Sequence, residues 1–226
     1  MILIFFIIAI MSLRTVTGFE QNKRTIFDSL TSIRNDPNFI LAGVFLVFYS
    51  LSLFLQDSVL EPFAIEEMGF ERGDIGTLTL LSNILSLIFI PAGVLLERRS
   101  SRLKVMYIGV STMIMGLALL ILLSVFPSLQ TLYTGVAFFG IGAGITSAPG
   151  FAYLLDVGAK SAENTGLVIS LFGLVITLTR SLSNFIPSLI LYLSSNYFLV
   201  FTVEFLMAIA LLYPLSLLDQ KLATNC

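Results

Sequence analysis

Six long apolar runs leave this chain little choice of fold. They occupy 38–60, 75–96, 104–126, 129–155, 164–193 and 197–218. Each exceeds the roughly 20 residues that carry a helix across a hydrocarbon core. In lipid every backbone N–H and C=O must be satisfied within the segment, and a continuous run of this kind satisfies them only as an α-helix. A water-soluble packing would need a surface the chain cannot supply. It is 57% hydrophobic and 12% charged, about half the charged share of a soluble domain, with a mean hydropathy of +0.98. The predicted fold class is therefore all-α, a polytopic membrane helical bundle with six complete transmembrane helices.

What lies between the runs fixes their order across the membrane. Residues 1–13 are apolar but too short to span alone, and no basic stretch precedes them. They read as the stump of a partial transmembrane helix, with a cleaved signal or a partly buried anchor as the competing reading. Residues 14–37 form a polar linker in which Ile26, Phe27, Leu30 and Ile33 recur at helical spacing, as in an amphipathic helix lying on a membrane surface. Lys and Arg number four in this linker, four in loop 97–104, one in loop 156–163 (Lys160) and one in the tail (Lys221), against Arg72 alone on the alternate side. Ten against one places the linker, both loops and the C-terminus in the cytoplasm of a multi-pass cell-membrane protein. The acidic stretch 61–74 then faces outward.

Composition also excludes functions. A net charge of -2, with no basic patch beyond the membrane-flanking loops, offers nothing to nucleic acid. There is no histidine, and the single cysteine, Cys226, is the last residue. That removes the usual metal ligands and the usual general base, so no metal, no cofactor and no enzymatic activity are expected. Proton chemistry, if any, falls to Asp and Glu. Gly140, Gly142 and Gly144 sit inside an apolar helix without the strand and turn of a phosphate cradle, so they read as close-packing positions. Pro91, Pro149 and Pro187 are candidate kinks.

The stretch from Gly93 to Lys104 joins the second and third runs. It places Gly93, Glu97, Arg98 and Arg102 at the positions of the pattern Gly-x-x-x-Asp-Arg-x-Gly-Arg-Arg, with Ser100 and Ser101 as departures. The chain thereby resembles the C-terminal six-helix half of a major facilitator superfamily (MFS) transporter. Supporting features are the cytoplasmic linker before the first complete span, the glycine-rich fourth span and Asp156 at that span's end. The resemblance implies two inverted three-helix repeats over 38–226 and substrate bound near mid-membrane. It also implies a gating loop in which Glu97 pairs with Arg98 and Arg102, while Gly93 lets helices approach closely.

Arg180 is the sharpest candidate outside that loop. It lies near the middle of its span, where a charge costs roughly 3 kcal/mol or more unless it faces protein or water. Gly166, Ser170, Gly173, Thr177, Arg180, Asn184 and Ser188 recur at three- and four-residue steps, a polar stripe fit to wall an aqueous cavity. Arg180 would bind an anionic substrate or partner a coupling carboxylate, the competing reading being a structural ion pair. Gly76, Thr79, Asn83, Ser86 and Gly93 form a second stripe, either cavity lining or helix–helix hydrogen bonding. Asp57 and Glu61, one turn apart, can share a proton or simply be solvated. Glu204, about 10 Å inside its span, is a possible partner of Arg180. These residues lead to an expected function: alternating-access transport of a small solute, possible proton coupling included, by half of an MFS permease. Its partners would be membrane lipid, a small-molecule substrate and a second transporter half. The alternative is a truncated or split-gene remnant serving as a non-transporting membrane scaffold.

Overall fold

A computed structural model describes residues 37–160 and 165–224. The apolar segment 1–13, the linker up to residue 36 and positions 161–164 lie outside the described residues. Within them the chain is almost wholly helical and has no strand. The helices are α1 (Pro37–Glu66), α2 (Arg72–Arg99), α3 (Arg102–Val125), α4 (Leu129–Lys160), α5 (Thr165–Ser194), α6 (Tyr197–Ala210) and α7 (Leu212–Thr224). Six stretches are long and apolar enough to cross a membrane: Asn38–Glu66, Gly73–Arg99, Arg102–Val125, Leu129–Val157, Ile169–Ser194 and Tyr197–Leu218. The six expected spans are all present.

The helix ends follow local chemistry. Pro37 opens α1, a position where its missing N–H is not needed. The helix runs six residues past the expected end at Leu60, through Pro62, because the stop is set further on. Gly69, at φ 70°, turns the chain back, and the N–H groups of Gly69 and Phe70 donate to the carbonyls of Ile65 and Ala64. Glu61 and Glu66 thus belong to a helix rather than to an outer loop. Ser100 and Ser101 form the whole turn between α2 and α3. Ser101 is the N-cap of α3, accepting from the Lys104 N–H at 3.4 Å, so a departure from the basic pattern has a capping use. Asn196 caps α6 in the same way, accepting from the Phe198 N–H at 2.9 Å.

The three candidate kink prolines lie inside helices. α2, α4 and α5 continue through Pro91, Pro149 and Pro187. The interruption comes in the last span, at Leu211, where the N–H donates three residues back to Ala208 at 3.3 Å. Pro214 follows and cannot donate to the preceding turn, which divides this span into α6 and α7.

Packing shows an internal order. The helix pairs in extensive contact are α3–α4, α2–α4, α1–α5, α1–α6 and α3–α6. Exchanging α1 with α4, α2 with α5 and α3 with α6 interconverts α3–α4 with α1–α6 and α2–α4 with α1–α5, and maps α3–α6 onto itself. Three is odd, so successive three-helix units enter the membrane from opposite sides, and the repeat is inverted. The α4 contacts are the closer ones, and glycine is the reason. A Cβ on Gly140 would lie 2.6 Å from the Ser82 carbonyl of α2. One on Gly142 would lie 2.5 Å from the Gly109 carbonyl of α3. Gly43 of α1 has no neighbour within 4 Å. The apolar core joins α1, α3, α4 and α6, with Phe45, Phe63, Met106, Met113, Leu117, Leu132 and Phe201 fully enclosed. Among the described residues α2 supplies only Ile75 and Leu78 to the buried hydrophobic set, and α5 only Phe172.

Candidate functional site

Two polar centres arise from this arrangement. The first closes one end of the bundle. Two residues of turn hold the end of α2 against the start of α3, and α4 ends beside both. Arg102 Nε donates to Glu97 Oε1 at 2.5 Å, and its Nη1 donates to Asp156 Oδ2. One planar guanidinium therefore ties three helix ends together, a task suited to its fork of donors. Gly93 lies one turn before Glu97. A Cβ there would meet the Ile145 carbonyl at 2.5 Å, so glycine lets α2 lie close against α4 directly under the ion cluster. Of the four gating-loop residues, Gly93, Glu97 and Arg102 are brought together, and Asp156 joins them. Arg98 and Arg99 are exposed, and the ion pair of Glu97 is made with Arg102.

The second centre lies along α1 where α5 and α2 meet it. The Arg180 guanidinium sits over the Phe54 ring, 5.3 Å from its centroid, a cation–π contact worth about 0.5–1 kcal/mol at an exposed position. One turn on, Ser58 Oγ donates to Asn184 Oδ1 at 2.6 Å. Asp57 lies within electrostatic reach of both Arg180 and Glu61, and Thr79 Oγ1 of α2 donates to Glu61 Oε1 at 3.3 Å. Phe54, Asp57, Ser58 and Glu61 recur at helical spacing, so a single face of α1 holds all these contacts. The polar stripe of α5 is open: Ser170, Gly173, Thr177, Arg180, Asn184 and Ser188 are all exposed. The α2 stripe is split. Asn83 and Gly76 are exposed and Thr79 half-buried, whereas Ser86 packs its backbone against Gly144 of α4.

Glu204 does not meet Arg180. It is fully buried in α6, and among the described residues its two carboxylate oxygens have no hydrogen-bond partner and the charged group within electrostatic reach is Asp57. Sequence reasoning overlooked Phe54 and Ser58, which carry the α1–α5 contact. It also overlooked Tyr49, whose hydroxyl donates to the Ala143 carbonyl at 3.2 Å and lies 3.0 Å from Ser147 Oγ. Only the placement of Phe54 and Ser58 one turn apart, flanking Asp57, hinted at the first two. Among the described residues no three His, Cys, Asp or Glu side chains gather as a metal ion would need.

The sequence model of the family described as PUCC protein matches residues 1–220. That finding corrects the family read from the basic loop: the match is to PUCC and not to an MFS family. PucC proteins are themselves MFS-like membrane proteins, which accounts for the shared loop pattern and span order. Neither curated proteins nor solved structures gave a match to this chain.

Proposed function

The chain belongs to the PUCC family, and from that membership and the two polar centres we infer a membrane carrier that moves a small solute by alternating access. One observation carries the reading. Arg180, with Asn184 and Thr177, is exposed along a membrane-spanning helix, where the cost of a charge favours a water-filled or protein-lined path over lipid. The Glu97–Arg102–Asp156 cluster supports it as a latch. It ties three helix ends across one face and comes apart if α2 and α4 separate. α2 and α5 are the two least buried spans, so a second half, from another copy or another chain, fits against them. The excess of Lys and Arg supports a cell-membrane orientation with the latch in the cytoplasm. The absence of histidine supports a carrier rather than an enzyme.

The family is related to the assembly of bacteriochlorophyll and photosynthetic complexes. This directs the cargo toward a small molecule that such assembly consumes. It also favours a second reading, a scaffold that holds complex subunits without moving a solute. The two part at Arg180. In the source cell, Arg180→Ala should leave the chain in the membrane at unchanged level while the absorbance of the assembled pigment complexes falls at least several-fold. Unchanged absorbance with the chain present would sink the carrier reading and leave the scaffold.

A further inference from the structure

Glu204 takes no part in the latch or in the α1–α5 contact. It lies two turns into α6, about 10 Å from Tyr197 by helical rise, with no exposed surface. Among the described residues both oxygens lack a hydrogen-bond partner. An ionised carboxylate held this way carries a desolvation cost of several kcal/mol with nothing to offset it. The neutral acid escapes most of that cost.

Among the described residues, the elements packed on α6 leave Glu204 no counter-ion. α3 presents only uncharged residues on its buried face, Met113, Leu117 and Leu120 among them. α7 carries no charge through Leu218, and its Tyr213 is exposed. α1 brings Asp57, the group that acts on Glu204, and Glu61, which acts on Asp57. α5 brings Arg180, which also acts on Asp57. On α6 itself the Tyr197 hydroxyl is occupied, donating to Glu66 Oε2 at 2.7 Å. A second orphan, Ser52 Oγ, is buried without a partner on α1, the helix that packs on α6. Asp57, in contrast to Glu204, is exposed.

We propose that Glu204 is an intramembrane proton-binding site, holding one proton as the neutral acid and exchanging it with water through Asp57. The transfer balances simply. The O–H bond of Glu204 breaks, an O–H bond forms on the Asp57 carboxylate, and the negative charge passes from Asp57 to Glu204. Asp57 then releases that proton to water, takes another from water and returns it to Glu204 by the reverse path, which restores the neutral acid and the Asp57 carboxylate. The site stands whether the chain carries a solute or holds subunits, since it rests on α1 and α6 alone.

Infrared spectroscopy of the purified full chain in lipid nanodiscs tests this. At neutral pH the wild type should show the carbonyl stretch of a protonated carboxylic acid. Glu204→Gln should lose it and Asp57→Asn should keep it. In heavy water the band of Asp57→Asn should exchange roughly a hundredfold more slowly, the lower end of what a positioned proton-transfer group contributes. A wild type without the band, or a band that survives Glu204→Gln, overturns the site. A band lost in Asp57→Asn places the proton on Asp57 instead and also overturns it. Unchanged exchange in that variant overturns the route. An apolar carbodiimide, which adds only to protonated carboxyls, gives a readout that needs no Glu204 variant. The adduct mapped by mass spectrometry should fall on Glu204 in the wild type and in Asp57→Asn, and an adduct confined to other carboxyls refutes the assignment.

Discussion

Arg102 joins Glu97 and Asp156 although its side chain is 31% exposed and Asp156 is 60% exposed. Water screens such pairs, so their value lies near the low end for ion pairs. Arg102→Ala removes the cation and leaves two carboxylates facing each other. It should lower stability by about 1 kcal/mol, read as a lower midpoint of thermal unfolding in detergent. Arg102→Lys should recover only part of this, because a point charge cannot repeat a two-armed contact. Equal midpoints for all three proteins would remove the latch. Glu97, Arg102 and Asp156 were readable as candidates from charge at helix ends. The Glu97–Arg102 pairing was implied by the family pattern of the loop, whereas the joining of Asp156 and the absence of Arg98 were not. The choice between Arg98 and Arg102 depends on which way each side chain leaves its helix, and a two-residue turn decides that. Glu204 shows the same limit. Its depth was readable from the span, while its lack of partners depends on which helices pack around it.

Helix approach here depends on the missing side chains of α4. Gly142→Ala would drive a methyl into the backbone of α3, and Gly140→Ala into that of α2, with backbone rather than flexible side chain in the way. Overpacking of this kind costs about 1–3 kcal/mol. Both variants should unfold at lower denaturant in a mixed-micelle titration, while Gly43→Ala, with open space around it, should match the wild type. A destabilised Gly43→Ala beside an unaffected Gly142→Ala would contradict the packing described. The six spans were readable because length and apolarity are local properties. The end of α1 was set too early, at the start of the acidic stretch 61–74, whereas Gly69 supplies the backbone geometry that makes the stop. The break at Leu211 escaped notice because Pro214 sits in an otherwise uniform apolar run.

Taken as a molecule, the bundle offers an ordered pair of faces on each peripheral helix. α5 exposes Thr177, Arg180 and Asn184 on one side, and Leu174, Leu178 and Leu182 on another. With Cys226 the only native cysteine, a Cys226→Ser background makes this testable. Asn184→Cys should react with a charged, water-borne maleimide, and Leu178→Cys should not. Equal labelling of the two would mean that the polar stripe meets no more water than the apolar one. The inverted order of contacts was implied by likeness to a transporter half, and it survives the change of family because it rests on which helices touch.

That order also governs how the chain can be made. α3 and α4 are neighbours in sequence and can pair as soon as both have left the ribosome. α1 cannot, since its principal partners are α5 and α6. Ser58 and Asn184, which join α1 to α5, stand 126 residues apart. At about 5–20 residues per second, α1 waits roughly 6 to 25 s for its partner. Throughout that wait Ser52 and Gln56, both buried in the finished bundle, lack the helices that later cover α1. The first of the described helices to be synthesised is thus among the last to be completed, and it has to be held by the insertion machinery until α5 arrives.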